Sequence, residues 1–183
     1  MQIRETSLSG VLLIEPVVHR DDRGYLFESF RADLLERAGL PQFVQENQTF
    51  SERHTLRGLH YQLIKPQAKL IRVLSGAIFD VAVDLREGSP THGKWVAEIL
   101  SAENRRQLFI PAGFAHGFCV VDATAEVLYK CSDYYSGAKD QCGIAWNDPA
   151  LAIAWPTSTP LISPKDLVLP GFAQRARSSP SAG

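Results

Sequence analysis

The chain has 183 residues, 45% of them hydrophobic and 21% charged, with a formal net charge of −1. That size and composition suit one soluble globular domain, able to bury a sizeable core without disulfides or a structural metal. The near-neutral balance provides no broad basic field for nucleic acid or an anionic membrane, so an anionic ligand must be met by locally placed Arg and Lys.

The first ten residues are polar and include Arg4 and Glu5, which does not read as a signal peptide. No apolar run approaches the ~20 residues that span a bilayer. Residues 32–38 place Leu34, Leu35 and Ala38 at helical spacing, and Gly39 and Pro41 follow as a stop, so one helix is expected there. Residues 70–74 and 77–85 are rich in Val, Ile and Phe and read as two strands, with Ser75-Gly76 as a turn between them. In the second run Phe79, Val81, Val83 and Leu85 alternate with Asp80, Ala82 and Asp84. The two faces of that strand therefore meet different surroundings. Residues 95–100, 107–110, 117–121 and 126–131 read as further strands, separated by Gly-Ser-Pro, Ser-Ala-Glu-Asn and Pro-Ala-Gly turns. Short strands at this density with one helix predict a mainly β fold, a sandwich or barrel with a helical trim. A single domain over residues 1–171 is expected, followed by a weakly ordered tail over 172–183 that is rich in Ser, Ala, Arg and Pro. Cys119, Cys131 and Cys142 are odd in number and lack CxxC spacing, which favours free thiols in a reducing cytoplasm.

Four segments carry side chains suited to chemistry. In Arg57-Gly58-Leu59-His60-Tyr61-Gln62, Gly58 permits close backbone approach, and His60 is the one side chain that titrates near neutrality. Lys69 opens an apolar strand in register with Ile71 and Val73. A cation there is costly unless it is paired, meets a ligand or snorkels outward. His116 lies between Ala115 and Gly117 after a Pro-Ala-Gly turn, and Tyr129 stands in an alternating strand ahead of Tyr134 and Tyr135. Each of these has an ordinary structural reading as a core or rim residue. A metal is not expected: a metal cupin shows His-x-His with a nearby Glu, whereas His60-Tyr61-Gln62 lacks both the second His and the Glu. Neither a nucleophile elbow nor a Gly-rich phosphate loop occurs. General acid–base chemistry is the enzymatic option that remains.

Taken together, the ordered motifs resemble the dTDP-4-dehydrorhamnose 3,5-epimerase family from about Gly10 to Pro170. Their carriers include Asp22-Arg23-Gly24-Tyr25-Leu26-Phe27-Glu28, Gln45-Glu46-Asn47, Arg57-Gly58-Leu59-His60, Lys69-Leu70-Ile71-Arg72-Val73, Pro111-Ala112-Gly113-Phe114-Ala115-His116, Leu128-Tyr129-Lys130, Asp133-Tyr134-Tyr135 and Trp146-Asn147-Asp148-Pro149. The resemblance implies a cupin-type jelly roll without metal or cofactor, acting on a dTDP-linked 4-keto-6-deoxy sugar. It implies that His60 is the base, Asp166 the carboxylate orienting it, Tyr129 the acid on the opposite face, and Lys69 the cation near the carbonyl oxygen. His116 and Lys165 are implied as further substrate contacts, Arg57 as a diphosphate contact, and Gln45 and Asn47 as polar contacts in the same site. Tyr135 is implied to stack on thymine. Arg23 and Glu28 are implied to reach the nucleoside from the partner subunit of a homodimer. Asp140, another implied contact, stands where the family often has Glu, and Ala68 where it usually has Gly. A single-centre epimerase, a non-catalytic nucleotide-sugar-binding cupin and a metal-dependent oxygenase remain as alternatives.

Overall fold

The computed structural model describes residues 1–176. Its strands are β1 (Gln2–Glu5), β2 (Leu12–Glu15), β3 (His19–Asp21), β4 (Gly24–Leu26), β5 (Gln45–Glu52), β6 (Thr55–Gln62), β7 (Lys69–Asp84), β8 (Trp95–Ser101), β9 (Gln107–Ile110), β10 (Phe114–Cys131), β11 (Gln141–Gly143) and β12 (Leu161–Ile162). Helix α1 is Ala32–Arg37 and helix α2 is Pro164–Leu167. Ten strands form one sheet with the path β1-β2-β9-β7-β10-β6-β11, and β3 and β4 form a separate hairpin. The fold is mainly β, of the cupin jelly-roll type.

The antiparallel ribbon of β7 and β10 is the spine, running in register from Lys69 opposite Cys131 to Asp84 opposite Phe114. Its two halves serve different neighbours. The first half of β7 pairs with β9 and the second with β8, while β10 pairs with β6 at one end and β5 at the other. The sheet can change direction because the ribbon has a corner. Val127 faces Val73 and Glu126 faces Ser75, which leaves Leu74 as an extra residue; beyond it, residues 121–124 bulge between the pairs Val120–Ile78 and Ala125–Gly76. One inserted residue exchanges the two faces of a strand. Ile71 and Val73 before the bulge therefore enter the same core as Ile78 and Ala82 after it. Gly76 makes the corner possible: its φ is 72°, and a Cβ there would lie 1.9 Å from the carbonyl oxygen of Thr124.

This corner corrects the sequence reading at two places. Residues 70–74 and 77–84 belong to the single strand β7, with Leu85 just beyond it, and 117–121 and 126–131 belong to β10. Ser75-Gly76 carries turn chemistry, but pairing with β10 resumes on both sides of it, so the chain bulges without reversing. The helix at 32–38 is present, shifted by one residue at its end. Leu35 is buried with Leu40, Leu70 and Phe109, and the Gly39 amide closes the last turn on the Glu36 carbonyl.

Three apolar clusters fill the fold. The largest lies inside the barrel, another under α1, and a third joins Leu59, Val81, Val83 and Ile144 beneath the C-terminal segment. Burying each such aliphatic side chain contributes about 1.5–3 kcal/mol. The last cluster shows why the expected tail begins too early. Phe172 packs on that cluster, Arg175 is buried, and the Tyr61 hydroxyl donates to the Ala176 carbonyl at 2.6 Å. The rest of the expected tail, 177–183, lies outside the described residues.

Candidate active site

Residues of β5, β6, β7, β10, β11 and α2 surround a cavity of about 460 Å3, within the range of small-molecule sites. His116 and Tyr129 both line it, although they lie thirteen positions apart on β10. A straight strand would separate them by ~40 Å. The corner at Gly76 and residues 121–124 brings the two ends of the ribbon back to one opening.

His60 on β6 and His116 on β10 are cross-strand partners. Each imidazole is held by a carboxylate: His60 Nε2 is 2.7 Å from Asp166 Oδ1, and His116 Nε2 is 2.7 Å from Asp80 Oδ1. Asp166 is distant in sequence, and local chemistry delivers it. Strand β12 pairs in parallel with Thr55 and Leu56 of β6, Ser163 then caps α2 by accepting from the Asp166 amide, and Pro164 opens the helix. Asp166 is buried, which raises its pKa, but bonds from His60, the Gly58 amide and Ser163 outweigh burial and hold it below the usual carboxylate range. An ionised carboxylate only accepts hydrogen bonds. His60 Nε2 therefore donates to Asp166, and Nδ1 is the ring nitrogen left clear of the carboxylate, the position a neutral ring would use as a base.

Lys69 opens β7 at the cavity wall and is 7% exposed. Burial pulls its ammonium below the usual Lys range, with Cys131 and Asp80 opposing. Among the described residues, no hydrogen-bond partner meets its Nζ. The sequence alternatives for Lys69 are thereby separated: it does not snorkel to bulk water, and its amine faces the cavity. Tyr129 lies between Asn47 of β5 and Ile71 of β7. Burial and the nearby Cys131 raise its phenol pKa, against Arg57 and Asn47, so it keeps its proton at neutral pH.

Arg57, Gln45, Asn47, Tyr135 and Lys165 also line the cavity. Arg57 is steadied by Nε donation to Ser51 Oγ at 3.1 Å and by a contact to the Phe50 carbonyl. Gln45 donates to Asn47 Oδ1 and accepts the Tyr135 amide at 2.8 Å. Lys165 Nζ donates to Gln141 Oε1 at 3.4 Å.

Three expected contacts lie elsewhere in the chain. Arg23 sits in the exposed turn of the β3–β4 hairpin, paired with Asp21 at 2.6 Å, and Glu28 faces Arg31 at 3.4 Å. Neither lines the cavity of its own chain. Asp140 also lies off the cavity wall of its own chain. It is buried, bonded to the Ser136 hydroxyl, and accepts the backbone amides of Leu63 at 2.9 Å and Ile64 at 2.5 Å, with Lys65 close by. Its oxygens anchor the β6–β7 loop. The neighbouring Gln141 lines the cavity instead. Sequence reasoning also missed Gln67 at the cavity wall and the Asp80 partner of His116. The alternation of Asp80 and Ala82 with Val81 and Val83 showed only that the two faces of the strand meet different surroundings.

A bent jelly roll with a carboxylate-held histidine, a protonated phenol and a buried amine around one cavity is a cupin equipped for proton transfer. Comparison with known proteins narrows the class. Residues 5–174 match the model of the family described as dTDP-4-dehydrorhamnose 3,5-epimerase. A dTDP-4-dehydrorhamnose 3,5-epimerase of Pseudomonas aeruginosa is 52% identical over 94% of this chain and 97% of its own. One from Neisseria gonorrhoeae is also 52% identical, over 98% of this chain, which spans 55% of that relative's length. The crystal structure of a dTDP-6-deoxy-D-glucose-3,5-epimerase from Legionella pneumophila, in complex with dTDP-4-keto-L-rhamnose, superposes with a TM-score of 0.92 at 45% identity, covering 97% of this chain and 98% of the other. The chain belongs to the dTDP-4-dehydrorhamnose 3,5-epimerase family.

Proposed function

We propose that the protein inverts carbons 3 and 5 of dTDP-4-dehydro-6-deoxy-D-glucose, giving dTDP-4-dehydro-L-rhamnose for dTDP-L-rhamnose biosynthesis. The observation that carries this reading is the shared cavity of His60, Tyr129 and Lys69, with Asp166 fixing the His60 tautomer. A C–H bond beside a ketone is acidified because its electron pair can move into an enolate. In this reading His60 Nδ1 takes the proton, the electron pair becomes the enolate double bond, and the oxygen gains the charge. Lys69 stabilises that oxygen, a role suited to a preorganised, poorly solvated cation. Tyr129 returns a proton to the other face of the carbon. One base on one face would only exchange the proton with retention, so inversion requires the second group. Asp166 stabilises the imidazolium that forms.

Arg57 binds the diphosphate, where its planar fork suits paired oxygens, and Lys165 is a further substrate contact. Gln45 and Asn47 border the nucleoside, and Tyr135 stacks on thymine. Arg23 and Glu28 complete the nucleoside site from the partner of a homodimer, which fits the place of Arg23 in, and of Glu28 just after, an exposed hairpin whose Leu26 is 74% exposed. The reaction needs no metal or cofactor. Three free cysteines accord with a cytoplasmic setting.

The deciding experiment is turnover of dTDP-4-keto-6-deoxyglucose in D2O. Deuterium at both carbons 3 and 5 is expected. Label at one carbon alone makes the protein a single-centre epimerase, and no label at either removes the catalytic reading.

A further inference from the structure

Tyr135 is 53% exposed, yet a stacking platform must be held still to bind a base well. The backbone around it shows how this is done. Gln67, 7% exposed, donates from Nε2 to two consecutive carbonyls, Asp133 at 3.0 Å and Tyr134 at 3.1 Å. Just beside it Ala68 and Ser132 exchange two bonds: the Ala68 amide donates to Ser132 Oγ and the Ser132 amide to the Ala68 carbonyl. From the other side, Gln45 Oε1 accepts the Tyr135 amide at 2.8 Å. The two peptide units before Tyr135 are thus gripped at their oxygens by one glutamine, and its own amide by another.

The two grips differ in consequence. Gln45 lies on exposed-edge strand β5, while Gln67 is buried two residues before Lys69 and both line the cavity. Both Nε2 hydrogens of Gln67 have fixed acceptors, so the amide plane is set relative to the strand that carries Lys69. We infer that Gln67 is a positioning residue for the nucleoside end of the substrate, acting through the Asp133–Tyr134 carbonyls to hold Tyr135 in register with the reacting end of the cavity. This inference rests on the reading of Tyr135 as the thymine contact. It adds that Gln67 sets nucleotide affinity without taking part in proton transfer.

The test uses Gln67→Glu, which keeps the shape but turns two donors into acceptors facing two carbonyls. Binding of dTDP is measured by calorimetry, and kcat and KM by turnover, for wild type, Gln67→Glu, Tyr135→Ala and the double variant. Gln67→Glu is expected to weaken dTDP binding and raise KM at least tenfold, with kcat at saturation within threefold of wild type. Gln67→Met, which loses the donors without adding charge, is expected to fall between the two. In the Tyr135→Ala background the further loss is expected to be under twofold, because the platform being positioned is gone. If Tyr135→Ala leaves dTDP affinity unchanged, the thymine reading is the part that fails. If Tyr135→Ala weakens binding but Gln67→Glu does not, or adds its full effect in the double variant, or lowers kcat as much as it raises KM, the Gln67 inference is overturned.

Discussion

Gly58 and Gly117 touch backbone to backbone: a Cβ on Gly58 would stand 2.6 Å from the Gly117 Cα, and one on Gly117 would stand 2.8 Å from the Arg57 carbonyl oxygen. The contact falls at the register shift between β6 and β10, immediately beside the His60–His116 pair. The space that the sequence leaves around His116 is therefore occupied by the neighbouring strand. It is what lets two histidines from different strands face one cavity.

Gly117→Ala tests this. Neither Arg57 nor Gly58 can yield, because the obstructing atoms belong to paired backbone. A loss of about 1–3 kcal/mol in unfolding free energy is expected, accompanied by a fall in turnover as His60 and His116 separate. Urea denaturation and a turnover assay measure both. An alanine variant with wild-type midpoint and rate shows that the strands tolerate a wider spacing.

Asp84 governs stability in acid. It is fully buried and accepts from Arg86 Nε, Arg86 Nη2, Ser89 Oγ and Thr91 Oγ1 at 2.6–3.0 Å. Burial raises its pKa, but the bonds from Arg86, Ser89 and Thr91 outweigh burial and hold it well below the usual carboxylate range. A folded-state pKa below the unfolded value of about 3.9 gives stability that is complete above that value and lost as pH falls towards the folded one. Asp84→Asn is expected to cost roughly 2–3 kcal/mol near neutrality. The gap between variant and wild type then narrows below about pH 4. Denaturation curves at stepped pH read this directly, and a gap constant down to pH 2 would contradict it.

The chemistry of the site was more legible than its geometry. His60, Lys69 and Tyr129 stand out by residue type within strands, and the motifs around them point to one family. Asp166 emerges only through the family resemblance, since 106 residues separate it from His60, although the Ser163-Pro164 cap is a local signal for its helix. The corner at Gly76 was hidden because a bulge and a turn use the same residues. Strand β5, with the sequence QENQTFSE, escaped because its polar side chains line a cavity and a surface and leave no apolar alternation to read. Asp140 and Gln141 show how little separates two outcomes. Asp140 ends the turn that precedes β11 and Gln141 opens the strand, so a shift of one position exchanges a loop anchor for a cavity wall.

Lys69 sets stability against activity. Because burial lowers its pKa despite Asp80 and Cys131, the charged amine is a net cost to the folded state at neutral pH. Lys69→Met removes that cost while filling similar space. Its unfolding midpoint is expected to equal or exceed wild type, while kcat falls about 100- to 1,000-fold with the loss of the cation at the developing oxyanion. A destabilised Lys69→Met would mean that the amine is satisfied within the fold and is not held for a ligand.

Tyr129 offers the sharpest separation of the two half-reactions. His60 with Asp166 is independent of the phenol in its hydrogen bonding, so in the proposed mechanism removal of the substrate proton does not need Tyr129, whereas return of a proton to the opposite face does. Tyr129→Phe keeps the ring in its place between Asn47 and Ile71 but has no proton to give. Inverted product is expected to form at least ~100-fold more slowly, the usual scale for one acid–base group. Recovered substrate should still acquire deuterium from D2O, because His60 can return a solvent-exchanged proton to the face it came from. Mass spectrometry of the recovered sugar nucleotide, alongside NMR of its stereochemistry, follows the two quantities in one reaction. Loss of exchange in step with inversion would place Tyr129 in the proton abstraction as well, and the division of labour between the two sides of the cavity would have to be redrawn.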